Sequence, residues 1–583
     1  MVTRIITAFL FLFAPLAANA DADQRSRFRI EDATVAQLQV AMASGRLTSE
    51  ALTRFYITRI LELDQDGPGV NSVMELNPDA LATARHADEL RRRGRVLGPL
   101  HGIPVLLKGN IDTGDRMQTT AGSFGLKGAP APRDSTVAAR LRAGGAVLLG
   151  KTNLSEWANF RSFNSVSGWS AVGGQTNNPY GINRNPCGSS AGSGAATTAN
   201  FAAVSLGTET DGSIVCPGNA NAVVGIKPTV GLTSRAGVVP ISHTQDTVGS
   251  HGRTVADAAV ALSVIQSRSS DGRDPATAGV PLGWKGRARP TNIPADYTQF
   301  LNRDGLRGAR LGLTRSGIES APAQVGAAFD EVLEALAAAG ATVIDLDAAG
   351  FEFAPADGEF LVLVYEFRED LRDYLATRNR VPLAGKTLAD AIAFNEAHAG
   401  KEMPFFGQEI FELANSLAPG PDDPQPAFDN MTYNQALEID RLSGVNGIDR
   451  ALAQFDLDAV IAPTDNPPWA TDLLYGDHFL FGSSGLAAGA GYPIVQVPAS
   501  LVFGAPLGIS FFGTAFSEPT LIRLASGFEA VTQVRAQNPP TFALMLPDDH
   551  IEGTTLRRPR TAKPVQQQKS VPQETRRWRP RRM

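Results

Sequence analysis

The segment Ile103-Pro-Val-Leu-Leu-Lys108 points most directly to the fold, because this short apolar run predicts a buried strand that ends at a lysine. The pattern over residues 137–143 is typical of a helix, and Ala146-Val-Leu-Leu-Gly150 predicts the strand after it. Strands and helices that alternate in this way form the layers of α/β proteins. We therefore expect an α/β fold.

More distant segments extend this pattern along the chain. Residues 32–63 are predicted to be helical, and Thr34 with Gln37 fits a capping box at the start of that helix. Residues 279–449 have an irregular, mostly helical periodicity, which we interpret as a cover over the core. The expected architecture is one large domain over residues 31–552, with a twisted mixed sheet between layers of helices. Buried strands are predicted over 460–463, 493–498 and 508–513, and a closing helix over 521–531.

The composition is that of an ordinary soluble globular protein. The 583 residues are 43% hydrophobic and 19% charged, and the formal net charge is −6. This charge gives no general attraction to nucleic acid. No stretch reaches the roughly 18 uninterrupted apolar residues of a transmembrane helix. We therefore expect no nucleic-acid partner and no stable membrane span, and we expect a monomer.

The two ends of the chain differ from the rest. Residues 1–20 predict a signal peptide, because Arg4 precedes an apolar run and Ala18-Asn19-Ala20 forms a small-x-small cleavage site. Residues 21–30 then form a linker, and the mature protein is expected to be periplasmic or secreted. Residues 553–583 contain ten Lys or Arg and a single acidic residue, Glu574, with almost no aliphatic residues. Such a tail is predicted to be disordered and solvated, with a tether to an anionic surface as the alternative.

Two cysteines, Cys187 and Cys216, are too few for a disulfide framework or a Cys-ligated metal site. One bridge between them is permitted in an oxidising compartment. We nevertheless expect two separate, small buried residues. No metal site and no cofactor are predicted.

The first candidate for catalysis is Gly188-Ser189-Ser190-Ala191-Gly192, which matches the G-x-S-x-G nucleophile elbow of α/β-hydrolases. That elbow requires a strand directly before the serine. Pro179 and Pro186 exclude a central strand there, because proline cannot donate a ladder hydrogen bond. The long polar stretch over residues 165–194 instead predicts a functional loop inside the fold.

The same serines fit a second arrangement, in which separate motifs follow one another along the chain. Gly188-Ser189-Ser190-Ala191-Gly192-Ser193-Gly194 precedes Gly207-Thr-Glu-Thr-Asp-Gly-Ser213, and Lys108 lies upstream at a strand end. The chain also contains Gly150-Lys-Thr-Asn-Leu-Ser-Glu156 and Gly225-Ile-Lys-Pro-Thr229. This set resembles the amidase signature family over residues 32–546. Within the family, the segments around Trp157 and on both sides of Ser213 are most similar to bacterial peptide amidases.

The resemblance implies a catalytic relay. Ser213 would be the nucleophile, Ser189 would take its proton, and a neutral Lys108 would accept the proton of Ser189. A lysine that is neutral near pH 7 needs a pKa about three units below its usual value, which burial without a carboxylate partner can supply. The resemblance further implies a cis Gly188–Ser189 peptide bond. The oxyanion hole would consist of the backbone amides of Thr210, Asp211, Gly212 and Ser213.

Three positions depart from the family pattern. Gly109 follows Lys108 where aspartate is common, Glu209 and Val215 replace an Asp–Arg pair, and His251 ends a Gly-Ser-His run where Gly-Pro is usual. Aromatic residues precede the serine loop and are candidates for an acyl-side pocket, although packing in the core is the more frequent role of such residues. These candidates are Trp157, Phe160 and Trp169, with Tyr180 after them.

The sequence thus predicts a serine hydrolase that cleaves carboxamide bonds through an acyl-Ser213 intermediate. The expected substrate is the C-terminal amide of a peptide or a related small amide. An aryl-acylamidase or carbamate hydrolase on the same relay is the alternative. A non-catalytic binding protein on this scaffold, and a transamidation enzyme that matures aminoacyl-tRNA, are the other classes considered.

Overall fold

The computed structural model describes residues 28–279, 289–315 and 317–546, in which eleven strands form one mixed sheet. A separate antiparallel pair, β4 and β5, lies in the polar loop before Gly188. The strands are β1 Val73–Leu76, β2 Pro104–Lys108, β3 Val147–Thr152, β4 Trp169–Ser170, β5 Gly174–Gln175, β6 Val204–Glu209, β7 Val224–Lys227, β8 Thr247–Gly252, β9 Arg310–Leu313, β10 Thr342–Asp345, β11 Ala459–Pro463, β12 Ile494–Val502 and β13 Ala505–Phe512.

The strand order across the large sheet is β1-β3-β2-β6-β8-β7-β12-β13-β11-β9-β10. β2 pairs in parallel with both β3 and β6, and β9 pairs in parallel with both β10 and β11. The strands between these groups are antiparallel, as in the β6–β8 and β12–β13 pairs. The sheet is therefore mixed, as expected from the sequence.

Helices pack on the sheet and over one end of it. They are α1 Val35–Ala43, α2 Ser49–Arg59, α3 Ala80–Arg92, α4 Thr136–Ala143, α5 Ala191–Thr198, α6 Val215–Ala220, α7 Val255–Ile265, α8 Ala323–Ala338, α9 Glu359–Ala376, α10 Leu388–Ala397, α11 Ala399–Glu402, α12 Glu409–Ser416, α13 Tyr433–Gly444, α14 Arg450–Phe455, α15 Gly485–Ala488, α16 Glu518–Thr532 and α17 Val534–Gln537.

Two large hydrophobic cores hold helices against the sheet. The first combines β2, β3 and β6 with α1, α2 and α4, and the second combines β7 and β9 with α7, α8 and α16. A third cluster joins the cover helices α9, α10, α12 and α13. The described chain up to Met545 forms one compact unit, in agreement with the expected single large domain.

The predicted strands β2, β3, β11, β12 and β13 and the predicted helices α4, α7 and α16 are all present, with ends shifted by a few residues. Two predictions need correction. The helical region over 32–63 is divided after Ser44, where Gly45 has φ +75° and lets the chain turn before α2. The Thr34 capping box at α1 is confirmed. The cover region over 279–449 contributes β9 and β10 to the sheet edge, in addition to its helices.

Several predicted segments lie outside the described residues. These are the signal peptide over 1–20, most of the linker over 21–30 and the basic tail over 553–583. Among the helices that the structure does describe, none has the length and apolar character needed to cross a bilayer.

Candidate active site

Lys108 is the last residue of β2, and its side chain is fully buried beside β6. Its Nζ donates hydrogen bonds to Ser189 Oγ at 2.7 Å, to Thr208 Oγ1 at 2.9 Å and to the Thr208 carbonyl at 3.2 Å. Asn110 donates to the same Thr208 hydroxyl at 3.0 Å and so fixes that partner. Lys108 makes no ion pair within the described chain. Its environment therefore consists of hydroxyl and carbonyl oxygens.

Burial lowers the pKa of Lys108 to about 7, and the more distant charges of Asp246 and Glu209 oppose this shift only in part. A buried ammonium loses its hydration, and no adjacent carboxylate compensates for that loss. The neutral amine, which can accept a proton, is thus accessible near neutral pH. This value agrees with the requirement deduced from the sequence.

Ser189 lies between Lys108 and Ser213. Its Oγ is 2.9 Å from Ser213 Oγ, so that one line of hydrogen bonds joins Lys108, Ser189 and Ser213. The Gly188–Ser189 peptide bond is cis, as the family resemblance implies. The Ser189 carbonyl accepts a hydrogen bond from the Ser155 amide at 3.0 Å. No strand directly precedes Ser189 in the described chain, so the structure also excludes the nucleophile-elbow interpretation.

Ser213 follows a tight turn between β6 and α6. Gly212 occupies this turn with φ +76°, a left-handed conformation in which a side chain would be strained. No hydrogen bond of the described chain uses the backbone amides of Thr210, Asp211, Gly212 or Ser213 as donors. Such free amides at a turn into a helix are available to an oxyanion.

Glu209 holds the segment after Ser213 in place. Its carboxylate accepts hydrogen bonds from the amides of Ile214 at 2.6 Å and Val215 at 3.0 Å. Glu209 therefore caps the first turn of α6 and does not need the arginine that is common at position 215. His251, unexplained from the sequence, contacts the Ile214 carbonyl through Nε2 at 2.9 Å. Gly109 is also explained, because a Cβ there would overlap Met74.

Ser213 opens into a cavity of about 460 Å³. The oxyanion turn forms one wall, and residues from the loop over 465–485 form another. Ser213 is 8% exposed, whereas Ser189 and Lys108 are completely buried. Only the outermost member of the hydrogen-bonded line is thus within reach of a ligand.

Cys187 and Cys216 form a disulfide, with their Cα atoms 5.8 Å apart. The expectation of two separate buried cysteines was therefore wrong. Both residues line the cavity, and the bridge joins the loop of Ser189 to the helix that follows Ser213. The sequence did not indicate this pairing, because the folded turn at Ser213 is what brings the two residues together.

The candidate aromatic residues occupy different places. Phe160 lines the cavity, as predicted. Trp157 is not among the lining residues and packs edge-on against Phe411 at 5.6 Å, inside the cover cluster. Trp169 packs against Phe405 and Phe406. For Trp157 and Trp169, core packing thus replaces the expected substrate contact. The tertiary fold contributes aromatic lining residues that sequence proximity could not reveal, namely Trp469 and Phe479.

One group of side chains in the described chain has the geometry to hold a metal ion. His243, Glu366 and Asp370 place ligand atoms within 4.8 Å of one another, and none of them lines the Ser213 cavity. His243 Nδ1 already contacts both oxygens of Asp370, at 3.1 and 3.0 Å. These contacts tie the loop before β8 to the cover helix α9.

Comparison with known proteins agrees with this site. The sequence model of the amidase family matches residues 51–522. The crystal structure of peptide amidase from Stenotrophomonas maltophilia is 46% identical, with a TM-score of 0.78, covering 88% of this chain and 99% of that one. An Arabidopsis thaliana protein whose name assigns it as an amidase is 42% identical, covering 89% of this chain and 93% of its own. A glutamyl-tRNA(Gln) amidotransferase protein from Chloroflexus aurantiacus is 32% identical over 87% of this chain and 98% of its own.

These relatives share the fold over nearly their whole lengths, and the motif segments lie within the matched region. The chain is therefore an amidase, a hydrolase of amide C–N bonds, and belongs to the amidase signature family.

Proposed function

We propose that this amidase hydrolyses terminal carboxamides of peptides or N-acylated amino acids through an acyl-Ser213 intermediate, with Ser189 and Lys108 as its proton relay. The observation that carries the proposal is the unbroken hydrogen-bonded line from Lys108 Nζ through Ser189 Oγ to Ser213 Oγ. A serine hydroxyl is a weak nucleophile at neutral pH and needs an adjacent base.

The first half of the reaction forms the ester. Ser213 Oγ attacks the carboxamide carbon, its proton passes to Ser189 Oγ, and the proton of Ser189 passes to the lone pair of Lys108 Nζ. The carbonyl oxygen becomes an oxyanion, which the free amides of the turn over Thr210, Asp211, Gly212 and Ser213 would receive. One such donor is worth about 10²–10³ in rate.

The second half releases the products. The C–N bond breaks as the relay returns its proton to the leaving nitrogen, and ammonia departs. Water then attacks the ester carbon, gives a proton to the same relay, and the C–O bond to Ser213 breaks. The free acid leaves, and the Ser213 hydroxyl is restored with all atoms and charges balanced.

The terminal carboxamide is supported by two features. The similarity to peptide amidase surrounds Ser213 on both sides, and Asp211 of the oxyanion turn lines the cavity. A carboxylate next to the nucleophile disfavours a free C-terminal carboxylate and accepts a neutral amide. A leaving-group side that admits ammonia but no further residue would spare internal bonds by steric exclusion.

The test compares three matched substrates: a peptide amide, the same peptide as the free acid, and an acyl-anilide. We expect ammonia release from the amide to exceed aniline release, with no cleavage at internal bonds. Faster aniline release would make the enzyme an aryl-acylamidase, and internal cleavage would contradict the proposal. A fluorophosphonate should label Ser213, and the Ser213→Ala variant should remain unlabelled.

We also propose that the enzyme acts outside the cytoplasm. The disulfide between Cys187 and Cys216 supports this location, because such bonds persist in oxidising compartments. Mass spectrometry of the N-terminus from a bacterial host should find a mature chain that begins near Asp21. A chain that retains Met1 would contradict export.

A further inference from the structure

Asp465 is a buried carboxyl group in the cavity of Ser213, and one of its oxygens has no hydrogen-bond partner. The residue follows β11, its side chain is 1% exposed, and the oxygen in question is Oδ2. It is nevertheless one of the cavity-lining groups. A buried polar atom normally has a partner, because an unsatisfied one costs about 1–3 kcal/mol. A donor that enters the cavity would supply that partner.

Two aromatic rings lie close to this carboxyl group. Trp469 and Phe479 line the same cavity, with ring centroids 6.1 Å apart and planes at 85°. Gly482 separates the carboxyl group from Phe479, since a Cβ there would be 2.5 Å from Asp465 Oδ1 and 2.6 Å from Phe479 Cζ. Glycine thus lets an acidic oxygen and an aromatic edge lie side by side. Carboxylates next to aromatic faces are typical of sites for organic cations.

The charge of the cavity has the same sign throughout. Its described lining includes Asp211, Asp465 and Asp477, and no lysine, arginine or histidine. The Asp477 carboxylate is already occupied by donors, among them Asn185 Nδ2 at 3.1 Å and Trp469 Nε1 at 3.2 Å. Behind the wall, Lys227 lies near Glu209 and Asp211 but donates to the Tyr492 carbonyl. Asp465 is therefore the acidic group best able to bind an added cation.

We propose that Asp465, with Trp469 and Phe479, forms a subsite for an ammonium or guanidinium group of the substrate, so that the enzyme prefers amides that carry a positive charge. This inference rests on the proposed function, since it names a feature of the substrates that Ser213 would cleave. The cation would belong either to a free α-amino group or to a lysine or arginine side chain.

The empty cavity and the occupied cavity differ in protonation. Burial, and then the charges of Glu209 and Asp211, raise the pKa of Asp465 well above its ordinary value. The carboxyl group thus holds a proton in the empty cavity, and an entering cation replaces that proton. The ion pair formed in this way is shielded from water and is stronger than one at the surface.

The experiment uses the full-length wild-type enzyme and two pairs of amides. N-acetyl-arginine amide is compared with N-acetyl-citrulline amide, which has the same shape without the charge. Leucine amide is compared with N-acetyl-leucine amide, which lacks the α-ammonium. We expect kcat/KM to be about tenfold higher for the charged member of at least one pair, mainly through KM. The pair that responds identifies the source of the cation.

The Asp465→Asn variant should reduce that ratio to below about threefold, and Asp465→Glu should restore part of it. Asp304→Asn is the matched control, because it removes a surface carboxylate that is 76% exposed and paired with Arg307. The control should keep the wild-type ratio. Thermal unfolding of each variant shows whether its fold is intact.

A measurement without any variant supports the same decision. Benzylammonium should inhibit the wild-type enzyme competitively at a concentration at least about tenfold lower than benzyl alcohol, its neutral counterpart. Ratios near one in both substrate pairs, or equal inhibition by the two benzyl compounds, would overturn the cation subsite. So would an unchanged preference in folded Asp465→Asn. If no amide at all releases ammonia, the proposed function itself fails, which is a distinguishable result.

Discussion

Two buried lysines on neighbouring strands show what distinguishes a candidate catalytic group from a structural one. Lys108 ends β2 and Lys151 lies in β3, and neither side chain is exposed. Burial lowers the pKa of Lys108 to about 7 and that of Lys151 to about 8. By burial and pKa alone, the two residues are nearly equivalent.

Their hydrogen-bond partners separate them. Lys151 donates to the Ile111 carbonyl and to Thr119 Oγ1, and the Thr119 hydroxyl in turn donates to the same carbonyl. That arrangement closes on itself inside the core. Lys108 instead contacts a serine hydroxyl that continues to Ser213 at the cavity. A perturbed pKa is therefore only half of the argument for catalysis, and the route from the lysine to the ligand is the other half.

The sharpest test replaces the lysines one at a time with methionine, which preserves most of the volume. Lys108→Met should lower kcat on the best amide by at least about 10³-fold, as should Ser213→Ala, because the relay acts as a unit. Steady-state kinetics with a circular-dichroism check of folding measures this. If folded Lys108→Met keeps more than a tenth of the wild-type rate, the relay is wrong.

The pH profile tests the same residue without a substitution. Protonated Lys108 cannot accept a proton, so kcat/KM should fall as pH decreases below about 7, the pKa of Lys108. The loss should approach about tenfold per pH unit, or about 10²-fold at pH 5. Rate measurements on a neutral amide between pH 5 and 9 provide the profile. A flat profile through this range would contradict a lysine base.

The disulfide offers a smaller effect at the Lys108 site. Cys187 precedes Ser189 by two residues and Cys216 follows Ser213 by three, so the bridge links the two serine segments. The double Cys187→Ser, Cys216→Ser variant should lose about tenfold in kcat, because small displacements of reacting groups are costly. It should also lose about 3 kcal/mol of stability. Denaturant unfolding and kinetics on one preparation measure both, and an unchanged kcat would restrict the bridge to a structural role.

The smallest effect on catalysis is expected for Lys151→Met. The variant leaves the Ile111 carbonyl without its lysine donor, which should cost about 1–3 kcal/mol of folding stability. The kcat of the folded enzyme should stay within about threefold of wild type, because Lys151 has no hydrogen-bonded route to Ser213 in the described structure. Melting temperature and kcat are compared with those of Lys108→Met. An equal loss of kcat in both folded variants would remove the distinction between the two lysines.

Local patterns in the amino-acid sequence were enough to predict the α/β class and the strands β2 and β3. Apolar runs of this length form strands where they are buried, and a capping box such as that at Thr34 involves only neighbouring residues. Lys108, Ser189 and Ser213 could be named because each lies in a short motif that resembles the family. Each of these predictions depends on information within a single segment of the chain.

The surroundings of Ser213, in contrast, depend on how distant segments fold together. Asp465, Trp469 and Phe479 reach the cavity from a loop far along the chain, and Trp157 turns away from it despite its closeness in sequence. The disulfide and the cluster of His243, Glu366 and Asp370 likewise join separate elements. Contacts of this kind follow from how helices and loops pack on the sheet, and side-chain packing between distant segments leaves no periodic signal in the sequence.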